Sequence, residues 1–266
     1  MLNSYAKKIW TVLVLVVCAL LLAVATQYDL AINQRVYSPE NGFVVFMEAV
    51  GWWPLYLPGL FWGGFLLRRS HQPVWGFLIS LGSSIALCLP TFSYLSHRGW
   101  LTSVPLWAQA IVVTITFLVS IWFAGIPGRR TSMRLSFICS TGFWMMALVN
   151  LILQGIKLIW NRTRFDDMLA SGNFDQFTPW YHPFGNGGSS FPSAHTAAAA
   201  GALLLLLAAD IFPMIRRHVG FWGVVCTLYI GCMAACRVVI GRHFLSDTVV
   251  ASLIVWGLFA AVQHSS

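Results

Sequence analysis

The chain has 266 residues, of which 58% are hydrophobic and only 9% are charged, and its mean hydropathy is +0.74. Because a soluble domain carries about a quarter of its residues as charged side chains, this composition excludes a soluble globular protein and indicates an integral membrane protein. The formal net charge of +8 does not indicate a nucleic-acid partner, because a membrane protein of this composition has no soluble basic face that could bind one. The length allows about six to eight membrane helices with short loops and favours a single membrane domain.

Eight apolar stretches along the chain are candidates for membrane helices. In chain order they cover residues 9–26, 46–67, 74–92, 104–126, 135–160, 192–212, 219–240 and 244–262. The third is the weakest, because Gly82, Ser83 and Ser84 interrupt it and Pro90 falls near its end, so six or seven spans remain an alternative. We therefore predict an all-α fold, a polytopic transmembrane helix bundle.

The charges between these stretches predict the orientation of the bundle. If the N-terminus is cytoplasmic, all four inside segments are basic and most acidic residues fall outside, as the positive-inside rule requires. The inside basic residues are Lys7, Lys8, Arg68, Arg69, Arg129, Arg130, Arg134, Arg216 and Arg217. We predict a protein of a bacterial-type inner membrane with both termini in the cytoplasm.

The start of the chain allows a second interpretation. Lys7 and Lys8, followed by an apolar run that ends in Ala23, Val24 and Ala25, also resemble a secretory signal peptide. The run is longer than a typical signal core, which favours a retained helix. In both cases the next loop is periplasmic.

Three clusters of polar and ionisable residues interrupt the apolar sequence, at residues 157–164, 189–196 and 237–247. An Arg or Asp at the bilayer centre costs roughly 2.5 to 3.5 kcal/mol on insertion scales, so something must compensate for these groups. In the predicted topology all three clusters fall at the outer ends of helices or in the outer loop. They are therefore predicted to form one site on the periplasmic face.

The cationic residues of these clusters, Lys157, Arg164 and Arg237, favour a phosphate group as their ligand. Guanidinium groups bind pairs of phosphate oxygens through paired hydrogen bonds. Without an anion the three charges would repel one another. Pro192 is expected to begin the next helix. The free amides and the dipole at the N-terminus of that helix also favour a bound anion.

Two histidines in the clusters predict covalent chemistry. His243 and Asp247 are four residues apart and share a helix face, so the carboxylate can hold one imidazole nitrogen while the other attacks phosphorus. His195 lies on a different helix and supplies the acid for the departing oxygen and then the base for water.

The remaining ionisable residues have simpler interpretations. Four arginines that follow helices are interpreted as anchors at the lipid head groups: Arg35, Arg98, Arg162 and Arg242. The six cysteines lie in apolar stretches without metal-ligand spacing, which predicts neither a disulfide framework nor a zinc site. No carboxylate cluster suits magnesium, so we expect no metal and no cofactor.

The three clusters together resemble the three-part phosphatase signature of the type 2 phosphatidic acid phosphatase superfamily, in its membrane lipid phosphatase branch. The first pairs Lys157 with Arg164 across six residues, and the second is the run 192–195, Pro-Ser-Ala-His. The third is Arg237, five residues, His243, three residues, Asp247. The resemblance covers the C-terminal half of the chain. Phe165, Ala194 and Cys236 replace the usual Pro, Gly and Ser, and none of these changes removes a titratable group.

The resemblance implies a role for each motif residue. His243 would form a phosphohistidine, Asp247 would orient it, and His195 would act as acid and then as base. The residues expected to bind phosphate oxygens are Lys157, Arg164, Ser193 and Arg237. This mechanism implies no metal.

The expected activity is removal of a terminal phosphate from a lipid at the periplasmic face. Phosphatidate, phosphatidylglycerol phosphate, undecaprenyl diphosphate and the phosphates of lipid A all remain candidate substrates. Two alternatives stay open, a lipid phosphotransferase that uses the same intermediate and a non-enzymatic lipid transporter.

The family usually builds its core from six helices, so two extra N-terminal spans are expected. We divide the chain into N-terminal transmembrane spans, residues 1–70, and a membrane phosphatase core, residues 71–266. The N-terminal spans could serve as a lateral lipid gate, an oligomer contact or an anchor. The sequence leaves that choice and the oligomeric state open.

Overall fold

The structure is a computed structural model that describes residues 4–102, 104–185 and 187–265. Within these ranges every regular element is helical. The α-helices are α1 (Ser4–Val36), α2 (Gly42–Val50), α3 (Leu57–Arg69), α4 (Pro73–His97), α5 (Leu106–Gly125), α6 (Arg129–Trp160), α7 (Phe165–Ser171), α8 (Ala194–Ala200), α9 (Pro213–Arg217), α10 (Val219–Val239) and α11 (Leu245–Ser265). Three further segments are 3₁₀-helices: Trp53–Leu55, Phe174–Gln176 and Gly201–Asp210.

All eight predicted stretches are helical, which confirms a polytopic helical bundle. Six helices of the described residues are long and apolar enough to cross a membrane: Trp10–Val36, Pro73–His97, Leu106–Gly125, Arg129–Ser171, Val219–Val239 and Leu245–Gln263. A seventh span results if the pair Gly42–Leu55 and Leu57–Arg69, bent by 45°, counts as one. The remaining predicted stretch is the shorter apolar helix Ala194–Asp210.

The second stretch is divided into short helices, and its bend lies between Leu55 and Leu57, ahead of Pro58. α2 begins at Asn41, whose side chain accepts hydrogen bonds from the amides of Phe43 and Val44, as an N-cap does. It ends at Gly51, where a Cβ would lie 2.8 Å from the Met47 carbonyl oxygen. The bend leaves α2 and the following turn in the protein interior, against α10.

The first helix is longer than predicted. The apolar stretch ends at residue 26, but α1 continues to Val36 and packs on α11 and α10. Near its end the Asn33 amide donates hydrogen bonds to the carbonyl oxygens of Val238, at 3.2 Å, and His243, at 3.1 Å. This contact fixes the end of α1 to the turn between α10 and α11.

The long segment after α6 folds back on the end of that helix. Asn161 has a φ of 46° and ends α6 in a left-handed conformation. The amides of Gly188 and Ser190 then donate to the carbonyl oxygens of Asn161 and Arg162, each at 2.9 Å. A Cβ at Gly188 would lie 2.2 Å from the Arg162 carbonyl oxygen, so this close approach requires glycine.

The core includes a run of small residues on α8. Ala197–Ala200 of α8 is completely buried between α10 and α11, and Gly201 packs on the backbone of Leu55. Small residues allow such close helix contacts in membrane proteins. Large apolar side chains on α1 and α5, such as Leu20 and Trp122, are exposed, as expected for surfaces that face lipid.

Candidate active site

The three polar clusters meet at one end of the bundle. The first cluster begins in the last turn of α6, the second caps the start of α8, and the third connects α10 to α11. The Lys157 ammonium interacts electrostatically with Arg164, Asp247 and Arg237. His195 interacts in the same way with Arg237, His243 and Lys157. The structure therefore brings all seven sequence-predicted residues into one region.

A backbone carbonyl selects the tautomer of His243. The Nδ1 atom lies 2.6 Å from the Ser190 carbonyl oxygen, and a carbonyl can only accept a hydrogen bond. Nδ1 therefore carries the proton, which leaves the Nε2 lone pair unprotonated. Burial lowers the pKa of His243 to about 4, and the charges of Arg237 and Lys157 act in the same direction against the Asp247 carboxylate. The imidazole is neutral at pH 7.

Asp247 binds the residues that hold the His243 ring in place. Its Oδ2 accepts hydrogen bonds from the Ser190 hydroxyl, at 2.5 Å, and the Phe244 amide, at 2.9 Å. The same oxygen lies 3.6 Å from His243 Nδ1, which is longer than a normal hydrogen bond. The carboxylate thus holds His243 mainly through Ser190 and the start of α11.

Arg162 joins Asp247 to the first helix. Its guanidinium is completely buried and donates to Asp247 at 2.5 Å, to Asp29 at 3.0 Å and to the Ser246 hydroxyl at 2.8 Å. It also lies 4.1 Å over the Phe244 ring, a cation–π contact. The interpretation of Arg162 as a lipid anchor is wrong, because these partners take the guanidinium into the interior.

A second buried carboxylate, Glu48 of α2, reaches the site from the other side. Its two oxygens accept hydrogen bonds from Arg237 Nη1 at 2.8 Å and from Arg98 Nε at 2.9 Å. Arg98 was also interpreted as a lipid anchor, which the structure contradicts. The sequence contained one signal for the pairs that Arg162 and Arg237 form. Asp29 and Glu48 lie within or next to apolar stretches, where an acidic residue needs a partner.

The remaining motif residues occupy defined positions. Ser193 caps α8, because its hydroxyl accepts from the Thr196 amide at 3.4 Å. Arg164 Nη2 donates to the Ser189 hydroxyl at 2.8 Å. The His195 ring makes edge contacts with the rings of Tyr94 and Trp52, at centroid distances of 5.3 and 6.4 Å.

Several nitrogen atoms at the site are buried without a hydrogen-bond partner in the described residues. They include Arg164 Nε, His195 Nε2 and Arg237 Nε, one from each cluster. Unpaired buried polar groups are costly and call for an explanation. An anion that accepts hydrogen bonds from all three clusters would provide it.

The formal charge of the site is also suited to an anion. Five cationic side chains and three carboxylates leave a charge of +2: Lys157, Arg98, Arg162, Arg164 and Arg237 against Asp29, Glu48 and Asp247. Arg242 pairs with Asp166 at 3.0 Å and adds no net charge. A phosphomonoester dianion would balance this charge.

Metal binding receives no support from the geometry. Across residues 4–102, 104–185 and 187–265, no group of three or more His, Cys, Asp or Glu side chains is arranged to hold a metal ion. The donors that converge on the site are cationic or neutral N–H groups, which bind anions.

The fold and the site together define a polytopic membrane protein with a buried cationic site beside a neutral histidine. Residues 141–265 match the family model of the PAP2 superfamily, the type 2 phosphatidic acid phosphatases. This region contains all three clusters, and the match confirms the resemblance to that superfamily and supports phosphatase-type chemistry on lipid phosphates in general. No curated protein and no solved structure matches the chain.

Proposed function

We propose that the protein is a metal-independent lipid phosphatase that removes a terminal phosphate monoester or diphosphate group at the periplasmic face of the inner membrane. The observation that supports this most directly is the neutral His243, with its proton on Nδ1. An unprotonated Nε2 beside a cationic site is the arrangement that an attack on phosphorus requires.

In the proposed reaction, His243 Nε2 attacks phosphorus and the bond from phosphorus to the lipid oxygen breaks. Burial and the charges of Arg237 and Lys157 lower the pKa of His195, so this ring would take up a proton together with the phosphate dianion. It would then donate that proton to the departing oxygen, which leaves as the lipid alcohol or the shorter lipid phosphate. His195 then takes a proton from water while the water oxygen attacks phosphorus. The P–N bond breaks, inorganic phosphate leaves, and His243 returns to its neutral form.

The other motif residues stabilise charge in this scheme. Lys157, Arg164 and Arg237 would bind the phosphoryl oxygens and the negative charge that develops in the transition state. Ser193 is the fourth proposed phosphate ligand, although its hydroxyl here caps α8. Asp247 would stabilise the positive charge that the His243 ring acquires when Nε2 is phosphorylated.

The test measures inorganic phosphate released by the purified protein from four lipid classes, phosphatidate, phosphatidylglycerol phosphate, undecaprenyl diphosphate and lipid A, with EDTA present. We expect release from at least one class, loss of release in His243→Gln and His195→Gln, and ³²P-labelled protein after acid-free quenching of the wild type. His71, which is exposed, provides the matched control His71→Gln, with unchanged release.

The other outcomes identify the alternatives. Transfer of label to an added lipid, with no phosphate released without it, would indicate a phosphotransferase. Movement of lipid across liposome membranes that survives in His243→Gln would indicate a transporter. Release that EDTA abolishes would reject the metal-independent mechanism.

A further inference from the structure

Glu48 belongs to a part of the chain that lies outside residues 141–265, yet it touches a motif residue directly. It lies on α2, within the bent pair that precedes α4, and its side chain is only 3% exposed. One carboxylate oxygen binds Arg237 and the other binds Arg98. The same segment therefore contacts the proposed phosphate site through a buried ion pair.

The contact leaves most of the Arg237 guanidinium free. A guanidinium has five N–H donors, and Glu48 accepts from Nη1 alone at 2.8 Å. Arg237 Nε is buried and has no partner among the described residues. A carboxylate that holds one corner of the group directs the remaining donors without occupying them.

Arg98 holds the carboxylate in place. Its Nε donates to the second oxygen at 2.9 Å, so Glu48 is bound to two cations and stays in position when Arg237 gains another anion. A carboxylate that merely occupied the phosphate position would have to leave when phosphate arrives. Because Glu48 pairs with both arginines, we interpret it as a permanent support for Arg237 and not as an occupant of the phosphate position.

The same short segment also contacts His195. The Glu48 backbone lies within hydrogen-bonding reach of the His195 imidazole, and the Trp52 ring makes an edge contact with it. One turn of chain thus touches both the proposed phosphate ligand and the proposed acid and base.

We infer that Glu48 is a positioning residue that fixes the Arg237 guanidinium for phosphate binding, so that the N-terminal segment completes the site. This inference rests on the proposed function. Misplacement of a binding group by about 1 Å lowers turnover on the order of a hundredfold, which sets the scale of the effect.

The experiment compares Glu48→Gln and Glu48→Asp with the wild type in detergent. It measures kcat and KM for phosphate release, the inhibition constant of orthovanadate as a phosphate analogue, and the thermal unfolding temperature. We expect Glu48→Gln to lower kcat/KM on the order of 10- to 100-fold and to weaken orthovanadate binding. Glu40, which is exposed, gives the matched control Glu40→Gln, with wild-type values.

A double-mutant cycle separates positioning from general stability. If Glu48 acts through Arg237, Glu48→Gln added to Arg237→Lys causes little further loss of kcat/KM. Independent, multiplicative losses would overturn the inference. If Glu48→Gln does not fold, Glu48→Asp decides, because it keeps the buried charge but is one methylene too short to reach both arginines.

The remaining outcomes are unambiguous. Tighter orthovanadate binding in Glu48→Gln would show that the carboxylate competes with phosphate, and wild-type kinetics in both Glu48 variants would show that it has no role; either result overturns the inference alone. A wild-type protein that neither releases phosphate nor binds orthovanadate overturns the proposed function and this inference with it.

Discussion

At His243, burial is the main reason that the ring is neutral, and two of the groups that would bind phosphate act in the same direction. The charges of Arg237 and Lys157 act with burial to disfavour an imidazolium, while the Ser190 carbonyl requires the proton on Nδ1. A bound phosphate would offset the two cations and favour the positive ring that phosphorylation produces. The proposed reaction would thus start from a neutral nucleophile in the free protein and form a phosphohistidine whose positive charge the bound anion stabilises.

This arrangement predicts the titration of His243. Its pKa of about 4 lies below the usual value near 6.5, so the ring stays neutral until the pH falls well below 6. Between about pH 6.5 and 4 the unfolded chain binds this proton and the folded protein does not, so its contribution to stability is lost as the pH falls through that window. ¹⁵N NMR of the imidazole, assigned by comparison with His243→Gln, measures the midpoint, and a midpoint near 6.5 would contradict the prediction.

Arg162 predicts a specific requirement for a guanidinium. Replacing it by Lys keeps the charge, but an ammonium cannot bridge Asp29 and Asp247 in the geometry of the planar fork. Because weakening a buried pair is strongly destabilising, we expect Arg162→Lys to lower the unfolding temperature by several degrees and kcat by on the order of tenfold or more. Calorimetry in detergent and phosphate-release kinetics are the measurements.

The control for that substitution is Arg242→Lys. Arg242 pairs with Asp166 at 3.0 Å, and both side chains are about a quarter exposed. Exposed pairs of this kind contribute about 0–1 kcal/mol, so the unfolding temperature and kcat should stay close to the wild type. Equal behaviour of the two Lys variants would mean that the buried bridge at Arg162 has no special role.

Among the loops, residues 187–190 approach the neighbouring backbone very closely. Gly188 and Ser190 donate hydrogen bonds to the backbone of residues 161–162, and Ser190 carries the carbonyl that binds His243. In Gly188→Ala the new Cβ would meet the Arg162 carbonyl oxygen at 2.2 Å, so the segment must move. We expect kcat to fall on the order of tenfold or more, with a smaller change in KM, measured by phosphate release.

Gly155 provides the comparison for this prediction. It lies in α6, where a Cβ would meet nothing within 4 Å. Gly155→Ala should leave kcat unchanged and, since alanine favours the helix by about 0.5–1 kcal/mol, should not lower the unfolding temperature. Full activity of Gly188→Ala would show that the segment has room to adjust.

The helix Ala194–Asp210 shows how a short segment passes from one end of the bundle to the other. Its first seven residues are α-helical and the next ten form a 3₁₀-helix. With rises of about 1.5 and 2.0 Å per residue, the segment is about 30 Å long, close to the hydrocarbon thickness of a bilayer. The amide of Ser193, which caps its start, donates to the Asp247 carbonyl, while Arg134 at the other end donates to the Asp210 carbonyl.

Hydropathy predicted the helices, and motif spacing selected seven residues that the structure brings into one region, because both signals lie in local sequence. They missed the extension of α1 and the partners of Arg162 and Arg237. Asp29 lies 133 positions before Arg162, and Glu48 lies 189 positions before Arg237. Such pairings depend on how the N-terminal helices pack on the core, and local sequence patterns do not reveal that packing.

Across the whole molecule, the two ends of the bundle differ in the kind of charged residues that they carry. The site end carries the buried cations, their carboxylates and the long segment after α6. The opposite end carries the turns around Arg69, Arg129 and Arg216, and Arg69 there donates to the carbonyl oxygens at the end of α5. Basic segments stay in the cytoplasm, so the site should face the periplasm.

Cysteine labelling of the full-length protein tests this orientation. Introduced cysteines would replace exposed residues at the site end, Glu40 and Tyr181, and at the opposite end, His71 and His218. We expect a membrane-impermeant maleimide to label Glu40→Cys and Tyr181→Cys in intact cells, but His71→Cys and His218→Cys only after permeabilisation. The wild type, whose described cysteines are all free and lie in helices, gives the background.

His218→Cys is the most informative position, because Ala194–Asp210 alone separates it from the site-end segment. If that short helix crosses the bilayer, His218→Cys is protected in intact cells while Tyr181→Cys is labelled. Labelling of both in intact cells would mean that the helix does not cross. The complete reverse of the expected pattern would place the site in the cytoplasm and would remove periplasmic lipid phosphates from its candidate substrates.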